Sequence, residues 1–361
     1  IGGIYYMKLF EKMAEMGHEQ VIFMQDQKTK LKSAIAIHST KLGPAVGGCR
    51  MYPYDSEEDM LTDVLRLSRG MTYKSAAAGD DYGGGKTVIW GDPDKDKSEG
   101  LFRALGKFID GFNGRYYTGT DVGTTYYDFV TMRKETPYVG ALPKEYGGGG
   151  DSSIPTAYGT YMGLKASCKE KYGTDSLEGK TIAVQGLGKV GGKLVKHLLD
   201  EGAEVYATDV DEESIEAARE LGANIVEPEE IFDVDCDIFS PNALGAVIND
   251  DTIDRLNCDI ICGAANNVLA EPRHGKMLYE KGILYAPDYV VNAGGLIQVT
   301  DEMDPSGYNE DRVMSKCENI YDTLLKVFEI SREKDIPTFE AANHMVEERL
   351  ETISHLKSIR S

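Results

Sequence analysis

The stretch TIAVQGLGKVGG, residues 181–192, joins an apolar run to a glycine-rich turn of the form G-x-G-x-x-G. A helical pattern follows, and the next apolar run, EVYATD at 204–209, ends in an acid. In this strand–turn–helix–strand order, the first glycine permits a tight turn and the second lets a pyrophosphate approach the backbone. The third lets the helix pack on the sheet. We therefore expect Gly186, Gly188 and Gly191 to bind a dinucleotide.

The acid at the end of the second run indicates which dinucleotide is bound. Asp209 follows the glycine turn by about 20 residues, the spacing at which an acid binds the ribose 2′-hydroxyl of NAD and repels the 2′-phosphate of NADP. Asp211 is the alternative ribose acid. Lys189 and Val190 lie inside the turn and are expected to contact the same cofactor.

Apolar runs continue to alternate with helical patterns near residues 237–240, 259–263 and 283–285. This alternation predicts a parallel, doubly wound sheet of the Rossmann type. Ligands of such sheets bind beyond the carboxyl ends of the strands. We therefore expect Asn266 to lie in the ligand cleft and three further residues to face the cofactor: Ala264, Asn267 and Asn292. The alternative for the asparagines is an ordinary role in a turn.

The chain before this region predicts a second α/β domain with a mixed sheet, because strand-like runs at 19–24 and 33–38 precede two amphipathic helices. The glycine-rich segment at 146–151 is typical of a hinge. We therefore expect two domains. The substrate domain comprises residues 1–145 and about 331–361, and the NAD-binding domain comprises residues 146–330.

A second glycine-rich stretch, GGGKTVIW at residues 83–90, places Lys86 directly after three glycines, in what reads as a loop before a strand. A lysine that such a loop directs into a cleft is partly desolvated, which lowers the pKa of an ammonium and suits it to act as a base. Lys74 is a second cation nearby. The alternative is that both lysines are surface charges and the glycines form a hinge.

Asp121 lies between glycines in the stretch TGTDVGT, residues 118–124, after a short apolar run. A carboxylate in such a loop suits proton exchange in a cleft. The alternative is that Asp121 is the N-cap of a helix that begins near Thr124.

Composition narrows the class of protein. The chain has 361 residues, of which 41% are hydrophobic and 27% charged, and its net charge is −21. This charge repels nucleic acid and anionic membranes, and no apolar run approaches the ~20 residues that span a bilayer. The six cysteines and six histidines show neither C-x-x-C nor metal-ligand spacing. With no signal-peptide pattern at residues 1–6, we expect a cytoplasmic protein with reduced thiols and no metal.

Eight stretches carry a family resemblance: GPAVGGCRM, RGMTYKSAAAG, GGGKTVI, NGRYYTGTDVGT, GDSSIPTAYG, AVQGLGKVG, GAANN and YAPDYVVNAGGLIQV. Together they resemble the dehydrogenases that act on glutamate, leucine, phenylalanine and valine, over essentially the whole chain. The resemblance implies reversible, NAD-dependent oxidative deamination of an L-amino acid to a 2-oxo acid and ammonia. It also implies a homo-oligomer, from a dimer to an octamer, and a cleft that closes over the substrate.

The same resemblance implies residue roles. Lys86 would activate water for attack on the imine, and Asp121 would exchange protons with the amino group. Thr156 would hold the nicotinamide amide. Lys74 would bind the substrate carboxylate, with help from three further positions: Gly47, Gly48 and Asn266.

The side-chain pocket of the family is lined at positions that match Val46, Gly119, Leu296 and Val299. Glutamate-specific members carry a lysine where Val46 stands, so an apolar substrate is expected. Members specific for leucine read T-A-E-D where this chain reads TGTD at 118–121, and members specific for phenylalanine read T-G-T-D. We expect L-phenylalanine as the substrate, with L-leucine or L-valine as the alternative.

This sequence departs from the family pattern in two places. Asp80 and Asp81 add negative charge just before the glycine run and would raise the pKa of Lys86 if they face it. Asn242 stands where relatives commonly place cysteine. Two rival classes also remain at this stage: a 2-hydroxy-acid dehydrogenase, although no histidine lies in these motifs, and a non-catalytic NAD-binding protein.

Overall fold

The computed structural model describes residues 8–358, so the expectation for residues 1–6 lies outside it. The chain divides into two compact units. Unit 1 comprises the residues up to Gly150, Val299–Asn309 and the residues from Arg349 onward, and unit 2 comprises Asp151–Gln298 and Glu310–Glu348.

These boundaries differ from the domains expected from the sequence. Unit 1 extends to Gly150 and gains residues 299–309, because Glu302 accepts hydrogen bonds from the backbone N–H groups of Leu142 (3.3 Å) and Gly149 (2.9 Å). Residues 331–348 lie with unit 2, where Thr338 donates to the Tyr285 carbonyl (2.5 Å). Of the C-terminal segment expected in the substrate domain, only the part from Arg349 onward lies with unit 1.

Unit 1 is built on a five-stranded mixed sheet with the order β1-β2-β4-β3-β5. β1 and β2 pair antiparallel, as do β2 and β4, whereas β3 pairs parallel with both β4 and β5. The mixed-sheet prediction is therefore confirmed. The strands are β1 (Gln20–Asp26), β2 (Leu31–Ser39), β3 (Ala45–Tyr52), β4 (Gly83–Trp90) and β5 (Tyr116–Thr120).

Helices cover both faces of this sheet. One face packs on α2, whose Leu61 and Val64 join Val88 of β4 in a buried cluster. The other face packs on α3, whose Phe102 and Leu105 are buried in the larger cluster of the unit. The helices of unit 1 that precede residue 150 are α1 (Leu9–Met16), α2 (Glu57–Ala77), α3 (Glu99–Asp110) and α4 (Tyr126–Met132).

The glycine run at residues 83–85 lies inside strand β4, not in a loop as its composition indicated. The reason is close packing on both faces of the strand. A β-carbon at Gly84 would lie 2.1 Å from the backbone nitrogen of Thr72 in α2, and one at Gly85 would lie 2.8 Å from the ring of Tyr116 in β5. Lys86 is consequently a residue of a central strand. Helix α2 extends to Ala77, which places Lys74 in its last turn.

Unit 2 contains a six-stranded sheet in which every described strand pair is parallel. The strand order is β11-β10-β9-β6-β7-β8. Successive strands are added on one side of β6 up to β8 and on its other side from β9 onward, which is the dinucleotide-binding arrangement of Rossmann folds. The predicted fold class is confirmed. The strands are β6 (Thr181–Gln185), β7 (Glu204–Thr208), β8 (Asn224–Ile225), β9 (Ile238–Pro241), β10 (Ile260–Ile261) and β11 (Leu284–Tyr285).

Helices α5 and α11 of unit 2 pack closely on each other because α5 carries glycines where the two helices meet. A β-carbon at Gly159 would lie 2.6 Å from Cδ1 of Ile320. Within residues 8–358, no helix is long and apolar enough to cross a membrane. The remaining helices are α5 (Ser153–Tyr172), α6 (Gly191–Asp200), α7 (Glu212–Leu221), α8 (Pro272–Glu280), α9 (Asp288–Val291), α10 (Gly294–Glu302), α11 (Glu310–Lys334) and α12 (Thr338–Ser358).

Two histidines of unit 1 lie together beside α2. The rings of His18 and His38 meet edge to face, with centroids 4.8 Å apart. Nδ1 of His38 is hydrogen-bonded to Thr72 Oγ1 (2.8 Å), and Nε2 lies 3.0 Å from the Met16 carbonyl oxygen. Burial lowers the pKa of each histidine to about 4.

This pair predicts an acid-sensitive fold. An unfolded histidine titrates near pH 6.5, so between about pH 6.5 and pH 4 the unfolded chain binds protons that the folded chain does not. The free energy of unfolding is therefore expected to fall as the pH is lowered through this range, by on the order of 2 kcal/mol for His38 alone. Urea unfolding of wild type and His38→Gln at several pH values measures this.

The His38→Gln variant should show a shallower decline of stability between pH 6.5 and pH 4.5. His344→Gln is the matched control, because His344 is exposed on α12. Equal slopes in wild type and His38→Gln would contradict the assignment.

Candidate functional site

One face of the unit 1 sheet carries several of the residues singled out from the sequence. Side chains alternate along a strand, so Val46 and Gly48 of β3 share a face, and Gly119 of β5 is the register partner of Gly48. A β-carbon at Gly48 would lie 3.2 Å from the ammonium of Lys86 and 2.9 Å from Cβ of Asp121. The missing side chain at Gly48 therefore makes room for the lysine and the aspartate.

Lys86 and Asp121 form an ion pair, with Nζ and Oδ2 3.2 Å apart. The side chain of Lys86 is 5% exposed, whereas that of Asp121 is 24% exposed. Burial alone would raise the pKa of Asp121, but Lys86 and Arg50 outweigh it and hold the pKa below its usual value. The lysine is thus not a surface charge, and its carboxylate partner is reachable from solvent.

The loop that carries Asp121 is fastened to β3. Thr124 donates its backbone N–H to the Asp121 carbonyl (3.1 Å), and its hydroxyl reaches the Cys49 carbonyl (2.9 Å). The N-cap of α4 is Thr125, which forms a capping box with Asp128. The alternative reading of Asp121 as a helix N-cap is therefore wrong.

Arg50 belongs to this cluster but was not predicted from the sequence as a site residue. Its Nε donates to Asp121 Oδ2 (2.9 Å) and its Nη1 to Asp63 Oδ2 (3.0 Å). Its spacing could have indicated that Arg50 belongs to the cluster, because Val46, Gly48 and Arg50 lie two residues apart on one strand and therefore share a face.

Lys74 lies half-buried on α2, the helix that covers this face of the sheet. The two acids that follow α2 are held by other groups. Asp80 accepts a hydrogen bond from the Thr300 hydroxyl (2.7 Å), and Asp81 pairs with Arg349 (2.9 Å). Arg349 also donates to the carbonyls at the end of α2: those of Ala76, Gly79 and Asp80.

The predicted pocket residues are divided between the units. A β-carbon at Gly119 would lie 3.3 Å from Cβ of Ala141, and one at Gly140 would lie 3.0 Å from Cγ1 of Val299. Gly119 and Val299 therefore both border the segment at residues 140–141 in unit 1. Leu296 belongs to unit 2 and is 9% exposed.

In unit 2, the glycine turn follows β6 as predicted. Gly186 has a φ of +97°, and a β-carbon at Gly191 would lie 1.9 Å from the Gly186 carbonyl oxygen. A β-carbon at Gly188 would meet nothing within 4 Å, so the backbone there is open to a ligand. Lys189 is exposed and Val190 half-buried beside it.

The acid after β7 lies beside this turn. Asp209 accepts a hydrogen bond from the Leu187 N–H (2.5 Å), which joins the two strand ends. Asp211 instead caps α7, where it accepts from the backbone N–H (2.9 Å) and hydroxyl (2.7 Å) of Ser214. The structure therefore favours Asp209 over Asp211 as the acid nearest the turn.

The predicted asparagines differ from one another. Asn292 is buried and donates to the carbonyl of Ala264 (3.1 Å) and to Oδ1 of Asn266 (2.9 Å). Asn267 is exposed and has a φ of +52°, the conformation expected of a turn asparagine. Asn242 ties β9 to the segment after β10, since its Oδ1 accepts from the Ala264 N–H (2.9 Å).

Thr156 lies in the first turn of α5, where its hydroxyl donates to the Ser152 carbonyl (2.8 Å). A β-carbon at Gly295 would lie 3.2 Å from this hydroxyl oxygen. The hydroxyl is thus close to the start of α10 within unit 2.

Two family models match this chain. The Glu/Leu/Phe/Val dehydrogenase dimerisation domain matches residues 18–138, and the Glutamate/Leucine/Phenylalanine/Valine dehydrogenase model matches residues 147–215 and 207–356. The chain belongs to the Glu/Leu/Phe/Val dehydrogenase family. It is an amino acid dehydrogenase, so neither a 2-hydroxy-acid dehydrogenase nor a non-catalytic NAD-binding protein describes it.

Individual relatives carry different substrate names. The chain is 55% identical over 353 residues to the leucine dehydrogenase of Thermoactinomyces intermedius, covering 98% of this chain and 96% of that protein. It is also 55% identical over 358 residues, with the same coverage, to the phenylalanine dehydrogenase of Caldalkalibacillus thermarum. A crystal structure of L-tryptophan dehydrogenase from Nostoc punctiforme matches with a TM-score of 0.86 and 46% identity, over 96% of this chain and 99% of that one.

Dehydrogenases of this family use NAD(H), and unit 2 offers polar groups that fit it. Three buried side-chain oxygens of unit 2 accept no hydrogen bond within residues 8–358. Oε1 of Gln185 and Oγ1 of Thr208 lie at the carboxyl ends of β6 and β7, and Oδ1 of Asn292 lies at the end of α9. Buried polar atoms normally have partners, so such a group of oxygens is suited to a bound polar ligand. Together with the open backbone at Gly188, they form a site suited to a dinucleotide.

Proposed function

We propose that this amino acid dehydrogenase catalyses the reversible oxidative deamination of an apolar L-amino acid, L-phenylalanine in preference to L-leucine or L-valine. The reaction converts the amino acid, water and NAD⁺ into a 2-oxo acid, ammonium, NADH and a proton. When bound, NAD⁺ supplies the acceptor for the hydride that leaves the α-carbon. The chain must then bind the substrate, activate water and move protons.

The observation that carries this proposal is the ion pair between the buried Lys86 and the partly exposed Asp121, beside Gly48. Asp121 takes a proton from the substrate amino group, because its depressed pKa keeps it ionised at neutral pH. Lys86, fixed 3.2 Å from that carboxylate, activates the water that attacks the imine carbon. The absence of a side chain at Gly48 lets both groups lie close to the backbone of β3.

Substrate and cofactor binding are assigned to groups of both units. Lys74, from the last turn of α2, binds the substrate carboxylate. The backbone of Gly47 and Gly48 and the side chain of Asn266 assist it. In unit 2, Asp209 holds the ribose of NAD, the turn from Gly186 to Gly191 holds the pyrophosphate, and Thr156 orients the nicotinamide amide. Ala264, Asn267 and Asn292 complete the cofactor site.

The preference for phenylalanine rests on two pocket positions. Val46 is buried and uncharged, which disfavours a substrate with a second carboxylate. Gly119 borders the segment at 140–141, and a methyl group there would press on Ala141 at 3.3 Å. Its absence favours a bulky side chain. Leucine or valine is the second candidate, since equally similar relatives bear the name leucine dehydrogenase.

The deciding experiment measures kcat/KM for NAD reduction with L-phenylalanine, L-leucine, L-valine, L-tryptophan and L-glutamate. We expect the highest value with L-phenylalanine, and we expect Gly119→Ala to lower the phenylalanine-to-leucine ratio at least about tenfold. Gly100→Ala is the matched control, because its β-carbon would meet the Thr29 methyl at the same 3.3 Å, away from the cluster.

Each outcome decides a different part of the proposal. A higher kcat/KM with leucine would overturn the phenylalanine assignment and keep the chemistry. No reduction with any amino acid, despite NAD binding, would contradict the roles given to the lysine–aspartate pair. An unchanged ratio in Gly119→Ala would remove Gly119 from the pocket.

We also propose that the chain works as a homo-oligomer in the cytoplasm. The matched dimerisation-domain model covers residues 18–138, which include the edge strand β1 and its half-exposed Phe23. An edge strand with an exposed aromatic residue is suited to pairing with a second copy. The six free cysteines suit a reducing compartment.

A further inference from the structure

The carboxylate of Asp121 is held twice through one oxygen. Arg50 Nε lies 2.9 Å from Oδ2 of Asp121, and Lys86 Nζ lies 3.2 Å from the same atom. The other oxygen, Oδ1, takes part in neither contact. The carboxylate is therefore fixed at Oδ2, while Oδ1 is the oxygen left to exchange a proton.

Arg50 is itself anchored away from Lys86. Its Nη1 donates to Asp63 Oδ2 in α2 (3.0 Å), and the Tyr54 hydroxyl donates to the same oxygen (2.8 Å). The side chains of Arg50 and Asp63 are 22% and 14% exposed. The guanidinium thus links α2 to the loop after β5, and it does so without any contribution from the lysine.

We propose that Arg50 is a positioning residue for Asp121, which it holds at Oδ2 so that Oδ1 faces the substrate amino group. This inference rests on the proposed roles of Asp121 and Lys86. A guanidinium stays charged at every pH at which proteins are folded. Arg50 therefore holds Asp121 in place at any stage of turnover, whatever proton Lys86 carries.

The groups around Asp121 give the direction of the expected effect. The neighbours that titrate at high pH are kept neutral, because burial raises the pKa of each: Cys49, Tyr54 and Tyr116. The charged neighbours are Lys86 from β4 and Arg50 from β3, and both lower the pKa of Asp121. Asp63, on α2, faces Arg50 from its other side.

Removing Arg50 takes away one of the two charges that hold the pKa of Asp121 down against burial. The pKa of Asp121 then rises, so the ionised form that accepts the substrate proton is lost at a higher pH. The acidic limb of the pH profile of kcat for deamination should therefore move upward by about one pH unit or more. The loosened carboxylate should also lower kcat by roughly 10- to 100-fold at neutral pH.

An open groove beside Arg50 allows a direct test of the guanidinium. It has a volume of about 400 Å³ and is bordered by Arg50, Tyr52, Tyr54, Thr62 and Arg66, among others. A small guanidinium compound can enter it. Activity lost in Arg50→Ala should therefore return in part when guanidinium is added at concentrations that leave the fold intact, and ammonium should not replace it.

The experiment compares Arg50→Met and Arg50→Ala with Arg66→Met in the full chain. Arg66 is the matched control, because it reaches the other oxygen of Asp63 (3.5 Å) and is 60% exposed. We expect the acidic limb of the kcat profile to shift only in the Arg50 variants, and added guanidinium to restore activity only in Arg50→Ala. The KM for NAD should stay unchanged. Asp63→Asn, which loosens the anchor without removing the guanidinium, should shift the limb in the same direction by less.

An Arg50→Met protein with the wild-type pH profile and kcat overturns the proposal. If that variant does not fold, an unshifted profile in Asp63→Asn overturns it instead. Asp121→Asn is measured alongside. If Asp121→Asn retains turnover, the proposed role of Asp121 fails; if it loses turnover while Arg50→Met is unchanged, only the positioning role fails.

Discussion

Lys86→Met is expected to lower kcat by at least about 1000-fold while NAD binding stays unchanged. Methionine fills the buried space of the lysine side chain but provides no nitrogen to activate water. Asp121 keeps its partner Arg50 at 2.9 Å, so the variant leaves no carboxylate unpaired. The residues proposed to bind the cofactor belong to unit 2, whereas Lys86 belongs to unit 1, so NAD affinity should not change.

Steady-state NAD reduction and a direct titration with NAD measure the two quantities separately. Lys95→Met is the control, because Lys95 is 79% exposed and its ion-pair partner, Asp92, lies only three residues before it in the chain. A Lys86→Met protein that turns over within tenfold of wild type would refute the water-activating role. Loss of NAD binding in this variant would instead indicate a damaged fold.

Gly84→Ala is expected to destabilise the protein by more than about 3 kcal/mol, the upper range of overpacking effects in cores. The new methyl group would lie 2.1 Å from the backbone nitrogen and 2.6 Å from Cα of Thr72. Backbone atoms of a long helix cannot move aside as a flexible side chain does. The strand and α2 would have to separate, and Lys86 and Lys74 would move with them.

Gly70→Ala is the matched control within the same helix. Gly70 lies inside α2, is exposed, and a β-carbon there meets nothing within 4 Å. Alanine is the better helix former, so this substitution should stabilise by about 0.5–1 kcal/mol. Urea unfolding midpoints measure both variants. A Gly84→Ala protein as stable as wild type would show that α2 and β4 do not pack as closely as described.

The sequence predicted best where a local signature defines the structure. The turn from Gly186 to Gly191 was identified because glycines at fixed spacing after an apolar run leave few conformations. The parallel sheet of unit 2 followed from the alternation of strands and helices. Each of these inferences needs only residues that are close together along the chain.

The glycines at 83–85 show where the same reasoning fails. Composition indicates a loop, because glycine is common in loops and weakens strands. Here the glycines lie in a central strand because Thr72 and Tyr116, distant in sequence, approach its two faces. The same limit explains Arg50. Its partners Asp63 and Asp121 lie 13 and 71 residues away, and nothing local marks that contact.

Asp121 and Asp211 illustrate a third kind of limit. Both are acids at the end of a strand, and from sequence each is equally suited to capping or to binding. The structure separates them, because Asp211 accepts from Ser214 at the start of α7 whereas Asp121 turns toward two cations. Capping and binding acids differ only in what they face.

The path of the chain through the two units has a consequence for biosynthesis. Unit 1 is assembled from a long early segment, a short return at Val299–Asn309 and the residues from Arg349 onward. Arg349 donates to the Ala76 carbonyl at the end of α2, and Lys357 donates to the carbonyls of Lys41 and Leu42. A chain emerging from the ribosome therefore cannot complete its first unit until its second has been synthesised. Until then, the helix that carries Lys74 lacks its final contacts, and translation products truncated before Arg349 should leave the end of this helix without these hydrogen bonds.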